Sequence, residues 1–206
     1  MPVGIFGGVF NPPHLGHLIC AQEAHTQLAL DAVLWVPVGE APHRPVEQDP
    51  GAEVRLRMCE QAIASDPRFA VSRLEVDRAG PSYTVDTLRE LRHQAPERDL
   101  FLILGADQAA ALPRWHAPEQ VLELATVAVA ERDGHRREEV RRSVASLAGA
   151  DDRLTFFDMP RIDISSSLVR SRAAEGLPIR YLVLDEVASL IAAQNLYGAS
   201  APVVAE

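Results

Sequence analysis

Two runs, "LFLILG" from Leu100 and "TVAVAE" from Thr126, are apolar at nearly every position and have the length of single strands. A strand with one wet face alternates apolar and polar residues, so continuous runs of this kind imply strands covered on both faces. Other strand-like runs are "VGIFGG", "AVLWVPV" (stopped by Pro37 and Gly39), "FAVSRLEV" and "LTFFDMP". Helical patterns separate them: Leu15 to Leu30; "EVRLRMCEQAIAS" with Val54, Met58, Ala62 and Ile63 in one stripe; Thr84 to His93 with Val85, Leu88 and Leu91 on one face; and Arg136 to Leu147, whose Arg-Glu run reads as a solvated face. Strands alternating with crossover helices predict an α/β fold with a doubly wound, mostly parallel sheet. With no internal repeat and no long linker, residues 1–206 read as a single domain. Helices from about Ser166 and Asp185 form a small C-terminal helical part, about 164–197, before a frayed tail.

The segment "GIFGGVFNPPHLGH" (Gly4–His17) lies where the first strand hands over to the first helix, the place where open α/β sheets receive their ligands. Gly7 and Gly8 let the backbone approach a ligand with amides free to donate, and a following helix N-terminus favours an anion. The pattern is neither G-x-G-x-x-G nor a Walker loop, which argues against a plain dinucleotide dehydrogenase. His14 and His17 stand one helical turn apart. Such a pair can cap or fill a core, bind zinc, or donate to phosphate; no cysteine or carboxylate nearby in sequence completes a zinc site. Beside a glycine turn at a helix start, donation to phosphate fits the surroundings best.

Charge narrows the partners. Twenty Lys and Arg against 29 Asp and Glu give a net charge of −9, which speaks against a nucleic-acid or anionic-membrane surface while permitting a local basic pocket. Cys20 and Cys59 form no C-x-x-C and read as buried thiols. No basic stretch leads an apolar core at the start, and no apolar run approaches about twenty residues, so a cytoplasmic location is expected.

"GGVFNPPHLGH" resembles the H-x-G-H signature of the nucleotidyltransferase superfamily, a Rossmann-like fold whose members join a nucleoside triphosphate to a phosphorylated acceptor. Three further segments, "GPSYTVDTL", "ILGAD" followed by "RWH", and "ISSSLVR", are similar in order and spacing to bacterial nicotinate-nucleotide adenylyltransferase. The likeness runs from Gly4 to Tyr197. It departs at Val9 (usually Thr or Ser), Asn11 (usually Asp), His116 (commonly Tyr) and Leu184 (commonly Pro).

The resemblance implies transfer of AMP from ATP to nicotinate mononucleotide, with Mg2+ carried mostly by phosphate oxygens and water. His14, His17 and Arg170 would be catalytic. ATP would meet Gly7, Gly8, Phe10, His14, His17, Gly105, Ser165, Ser166 and Arg170. Ser165 and Ser166 stand at a helix start with Arg170 one turn on, close enough to reach the β- and γ-phosphates; an ordinary N-cap with a surface arginine is the other reading. On the acceptor side, Tyr83 and Thr84 would offer amides to the nicotinate carboxylate. Trp115 would stack on the pyridine or sit in the core, and Arg44 would meet the acceptor phosphate or stay in an exposed loop. Asp107 would accept from a ribose hydroxyl or cap the next helix, and Arg132 matches a basic family position. Other acceptors (nicotinamide mononucleotide, phosphopantetheine) and a catalytically weakened nucleotide-binding regulator are the competing functions. The sequence leaves open whether the chain is a homo-oligomer.

Overall fold

The computed structural model describes residues 1–42, 45–131 and 136–198. Its elements run β1 (Pro2–Gly8), α1 (Leu15–Gln27), β2 (Ala32–Pro37), α2 (Ala52–Ile63), β3 (Phe69–Val71), α3 (Thr84–Gln94) and β4 (Asp99–Gly105). There follow α4 (Ala106–Ala110), α5 (Pro118–Leu124), β5 (Thr126–Glu131), α6 (Arg137–Val144), β6 (Leu154–Asp158), α7 (Ser166–Ala174) and α8 (Asp185–Ala193). The strands make one sheet in the order β3-β2-β1-β4-β5-β6, and every pairing is parallel. Strand order reverses between β1 and β4, so a crevice opens beyond their carboxyl ends.

Alternation along the strands divides the interior into two layers. Phe6, Val33, Trp35, Ile103, Ala128 and Ala130 face one side with residues of α1 and α2. Ile5, Val36, Leu102, Leu104, Val127 and Val129 face the other with α3, α5 and α6. The C-terminal helical part has no core of its own: Val169, Ala173, Val187 and Ile191 belong to the first layer. Helix α1 shows the sheet Cys20, Ala21 and Ala24, small side chains that let it pack closely. Cys20 and Cys59 are both buried thiols, as the sequence suggests. Among the described residues no helix is long and apolar enough to cross a membrane.

One expectation needs correction. The run "FAVSRLEV" is strand only over Phe69–Val71. The Ser72 hydroxyl accepts the Leu74 N–H (3.2 Å), a local turn that takes the chain off the sheet edge and swings Glu75 inward. Between β4 and β5 lie α4 and α5, each too short to show a helical period; Pro118 opens α5 after Ala117 takes a left-handed φ of 49°.

Arg55 of α2 is fully buried and joins the carboxyl ends of β1 and β2. Its guanidinium donates to the carbonyls of Val9 (3.1 Å), Val38 (2.6 Å) and Gly39 (3.0 Å), and to the Asp49 carboxylate (2.9 Å). Gly39 must be glycine, because a Cβ there would overlap the Glu75 carbonyl. Replacing Arg55 by Met keeps apolar bulk and strands three carbonyls. We expect a stability loss of about 3 kcal/mol, read as a lower urea midpoint at unchanged m-value.

Candidate active site

The β1–α1 junction is shaped by rings. Phe10 is buried with φ of 49°, a costly backbone for an aromatic residue. It is held by stacking on Trp35 (4.9 Å between centroids) and by edge contacts to Phe6 (5.5 Å) and His17 (5.1 Å). A Cβ on Gly8 would press on the Phe10 ring at 3.0 Å, and one on Gly16 would meet the His14 ring at 3.0 Å. Gly7 is different: a Cβ there would point into open space. One glycine of the signature thus serves the ligand side, and the other two make room for side chains.

His14 is the N-cap of α1 and His17 its third residue. The His14 N–H donates to His17 Nδ1 (3.1 Å), and the two rings lie 3.7 Å apart. Capping and ligand donation are therefore compatible roles for this pair. With Nδ1 accepting, the neutral His17 ring carries its proton on Nε2 as an available donor. Burial, then the charge of neighbouring His14, pushes the His17 pKa well below the ordinary imidazole value. Two stacked imidazoles cannot comfortably share two charges, so His17 is a neutral donor at physiological pH.

Two adjoining cavities open above the switch point. The first, about 510 Å3, is lined by Gly7, Gly8, Phe10, His14 and His17, with Gly105 and Asp107 at the end of β4. Ser165 and Ser166 close it at the start of α7. The amide-rich ends of α1 and α7 thus meet in this cavity, as an anion requires. Ser165 Oγ caps α7 by accepting the Leu168 N–H (3.1 Å), while Ser166 Oγ donates to the Pro12 carbonyl (2.9 Å). The second cavity, about 340 Å3, shares Gly7, Gly8, Leu104 and Gln108 with the first. Its walls include Tyr83, Thr84 and Trp115, the expected acceptor residues, together with Val9, Glu75, Ser82 and Thr87. His116 also lines it, with its ring 4.5 Å from that of Tyr83. The core tryptophan is Trp35, not Trp115.

Several placements differ from expectation. Arg170 is neither a surface residue nor a lining residue of the first cavity. It is 8% exposed, because its guanidinium finds acceptors behind the signature: Asn11 O (2.9 Å), Gln48 Oε1 (3.0 Å) and Glu47 Oε2 (3.3 Å). Asp107 lines the first cavity rather than the acceptor cavity, and instead of capping a helix it pairs with Arg136 (2.7 Å). The Arg-Glu run is not uniformly solvated. Arg136 lines the first cavity, and Arg137 binds Glu131 (2.7 Å), a carboxylate 1% exposed at the end of β5. Val9 borders the acceptor cavity, 38% exposed. Arg44 and Arg132 lie outside the described residues.

The comparisons with known proteins agree with this geometry. The cytidylyltransferase-like family model matches residues 5–172. A protein of Roseiflexus sp. (strain RS-1), named "Probable nicotinate-nucleotide adenylyltransferase", is 43% identical over 95% of this chain and 98% of its own. One of the same name from Dehalococcoides mccartyi (strain CBDB1) is 40% identical over 96% of this chain and 97% of its own. The chain belongs to the nicotinate-nucleotide adenylyltransferase family. Its fold is shared by the Plasmodium falciparum nicotinic acid mononucleotide adenylyltransferase complexed with NaAD, at a TM-score of 0.77 and 17% identity, over 97% of this chain and 98% of that one.

For this adenylyltransferase the lowered His17 pKa has a consequence for stability. In the unfolded chain the imidazole takes a proton as pH falls through about 6.5, while the folded protein resists until lower pH. The contribution is whole above pH 6.5 and shrinks below it. Between pH 7.5 and 5.5 the parent should lose up to about 1.4 kcal/mol more than His17→Gln, measured by urea unfolding at both pH values. Equal losses would mean that the fold does not hold this ring neutral.

Proposed function

We propose that the first cavity binds ATP, that the second binds nicotinate mononucleotide, and that the chain transfers AMP from the one to the other. The observation that carries this is the shared edge at Gly7 and Gly8 between a histidine-lined, amide-rich cavity and an apolar one flanked by aromatic rings. A phosphate oxygen of the mononucleotide attacks the α-phosphorus of ATP; the bond from that phosphorus to the bridging oxygen of pyrophosphate breaks, leaving nicotinate adenine dinucleotide and pyrophosphate. The attacking oxygen is already anionic at neutral pH, so the task is alignment and charge stabilisation rather than proton removal.

His17 supplies Nε2–H to the α-phosphate oxygens, where charge grows as the leaving bond stretches. His14 stands beside it on the phosphates, and the first turn of α7 takes the outer ones. Arg170 keeps its bond to Asn11 O and exchanges the exposed Glu47 carboxylate for phosphate oxygens. Asp107 and Arg136 face the nucleoside end of the first cavity. Mg2+ would come with ATP, held mostly by phosphate oxygens and water, and would offset phosphate charge. On this reading the reaction runs in the cytoplasm.

Pyrophosphate release with nicotinate mononucleotide, nicotinamide mononucleotide and phosphopantetheine, compared side by side, tests the assignment. The acid should exceed the amide by at least about tenfold in kcat/KM, because main-chain donors at a helix start favour a full negative charge. His17→Ala should lower kcat by about two orders of magnitude or more, with a smaller change in acceptor KM. Turnover near the parent's would remove the phosphate-donor role.

A further inference from the structure

Glu75 stands in the run "LEVDRAGPSYT" without a role in the chemistry above. It is 7% exposed and lines the acceptor cavity. A carboxylate leaves water only where donors replace it. The Thr87 hydroxyl does so here. Thr87 Oγ1 donates to Glu75 Oε1 (2.7 Å) while accepting from Arg78 Nη1 (2.9 Å). Ser82 lies close enough to the Glu75 carboxyl to favour its charged form, and its Oγ accepts from the Gly39 N–H (3.2 Å). With Arg78 donating to Thr87 Oγ1, the single Thr87 hydroxyl proton is directed to Glu75. Burial raises the Glu75 pKa, and Thr87, Arg78 and Ser82 pull it back.

The anchored residues bracket Tyr83 and Thr84. Tyr83 is the N-cap of α3, and amides in the first turn of a helix have no intrahelical acceptor. The Ser82 N–H is spent on Glu40 O (2.9 Å), while those of Asp86 and Thr87 go to Tyr83 O. The donors at Tyr83 and Thr84 are thus set by what holds residues 82 and 87. We infer that Glu75 is a positioning residue that determines the preference for an acid over an amide: it pins Thr87, beside a Ser82 held by Gly39 and Glu40, and so holds the main-chain donors between them at the cavity wall. This rests on the reading of the second cavity as the nicotinate mononucleotide site.

The negative charge makes the inference testable by sign. Around the carboxylate stand Arg78 on its own loop, Thr87 and Glu90 on α3 (Glu90 paired with Arg78 at 3.2 Å), Gly39 beyond β2, and His116 across the cavity. Acting through charge alone, Glu75 would repel an acid ligand, and Glu75→Gln would raise the acid preference. Acting as a bracket, it holds the Thr87 hydroxyl with a charged acceptor; glutamine offers only a neutral oxygen to that hydroxyl, so the anchor is weakened.

The experiment measures kcat/KM for nicotinate and nicotinamide mononucleotides, and KM for ATP, in the parent, Glu75→Gln, Thr87→Val and Thr87→Ser. The acid-to-amide ratio should fall by about fivefold or more in Glu75→Gln and Thr87→Val, the worth of one hydrogen bond, chiefly through acceptor KM. ATP KM should stay within about twofold of the parent, and Thr87→Ser, which keeps the hydroxyl, should keep the parent ratio. A folded Glu75→Gln with an unchanged or higher ratio overturns the inference. Should that variant not fold, Thr87→Val matching Thr87→Ser does the same. A parent that uses both mononucleotides equally removes the acceptor assignment and the inference with it; a selective parent with insensitive variants removes the inference alone.

Discussion

The stretch from Val9 to Pro12 is bound from behind, and the site in front depends on it. Three of its carbonyls are taken up by side chains: Val9 O by buried Arg55 of α2, Asn11 O by buried Arg170 of α7, and Pro12 O by half-buried Ser166. A turn that is to receive phosphate must keep its carbonyl oxygens away from the anion, and pairing them with buried guanidinium groups achieves this in one step. A guanidinium so placed is itself costly unless its donors are used, and both arginines have acceptors around the fork. The same bonds therefore stabilise the fold and orient the turn. The left-handed backbone at Phe10 persists within that frame because rings on three sides of it leave no other well.

Both arginines also grip one loop. Arg55 binds Asp49, Arg170 binds Gln48 and Glu47, and the Asn11 amide donates to the Glu47 carbonyl (2.8 Å). Glu47–Asp49 thus tie the chain beyond β2 to α7. The contacts are graded in strength by burial. Arg170 to Asn11 O is buried, whereas Glu47 is 83% exposed and its ion pair is weakened by water. The exposed partner is therefore the more easily displaced of the two.

What the sequence disclosed follows physical lines. Parallel order, strand positions and the two-layer interior were legible because continuous apolar runs have few other uses. Gly7, His14 and His17 meet in one cavity, as their shared place at a strand–helix junction implied. Gly8 and Gly16 serve neighbouring rings, a packing fact invisible without the positions of Phe10 and His14. Arg55 sat in a helical stripe as an ordinary charge, and nothing local marks a guanidinium whose acceptors lie on three distant segments. Glu131 did leave a signal, an acid closing an otherwise apolar strand, and its partner Arg137 opened the run that read as solvated. Glu75 left none, since the strand-like pattern around it placed it on an alternating face.

The departures from the family pattern become interpretable at the same level. Asn11 is buried, donates to Glu47 O and accepts from the Tyr197 hydroxyl (2.6 Å). An aspartate could accept from Tyr197 but would turn a second acceptor toward a carbonyl, so the loop at Glu47 would have to sit differently. The amide at position 11 and the course of the Glu47–Asp49 loop are thus one choice made twice. Val9 does not remove a hydroxyl from the histidine-lined cavity, since it borders the apolar one. There its methyl groups add to an apolar wall. Both substitutions stand outside the contacts of His14 and His17, which is why they leave the phosphate-facing arrangement as the rest of the signature builds it.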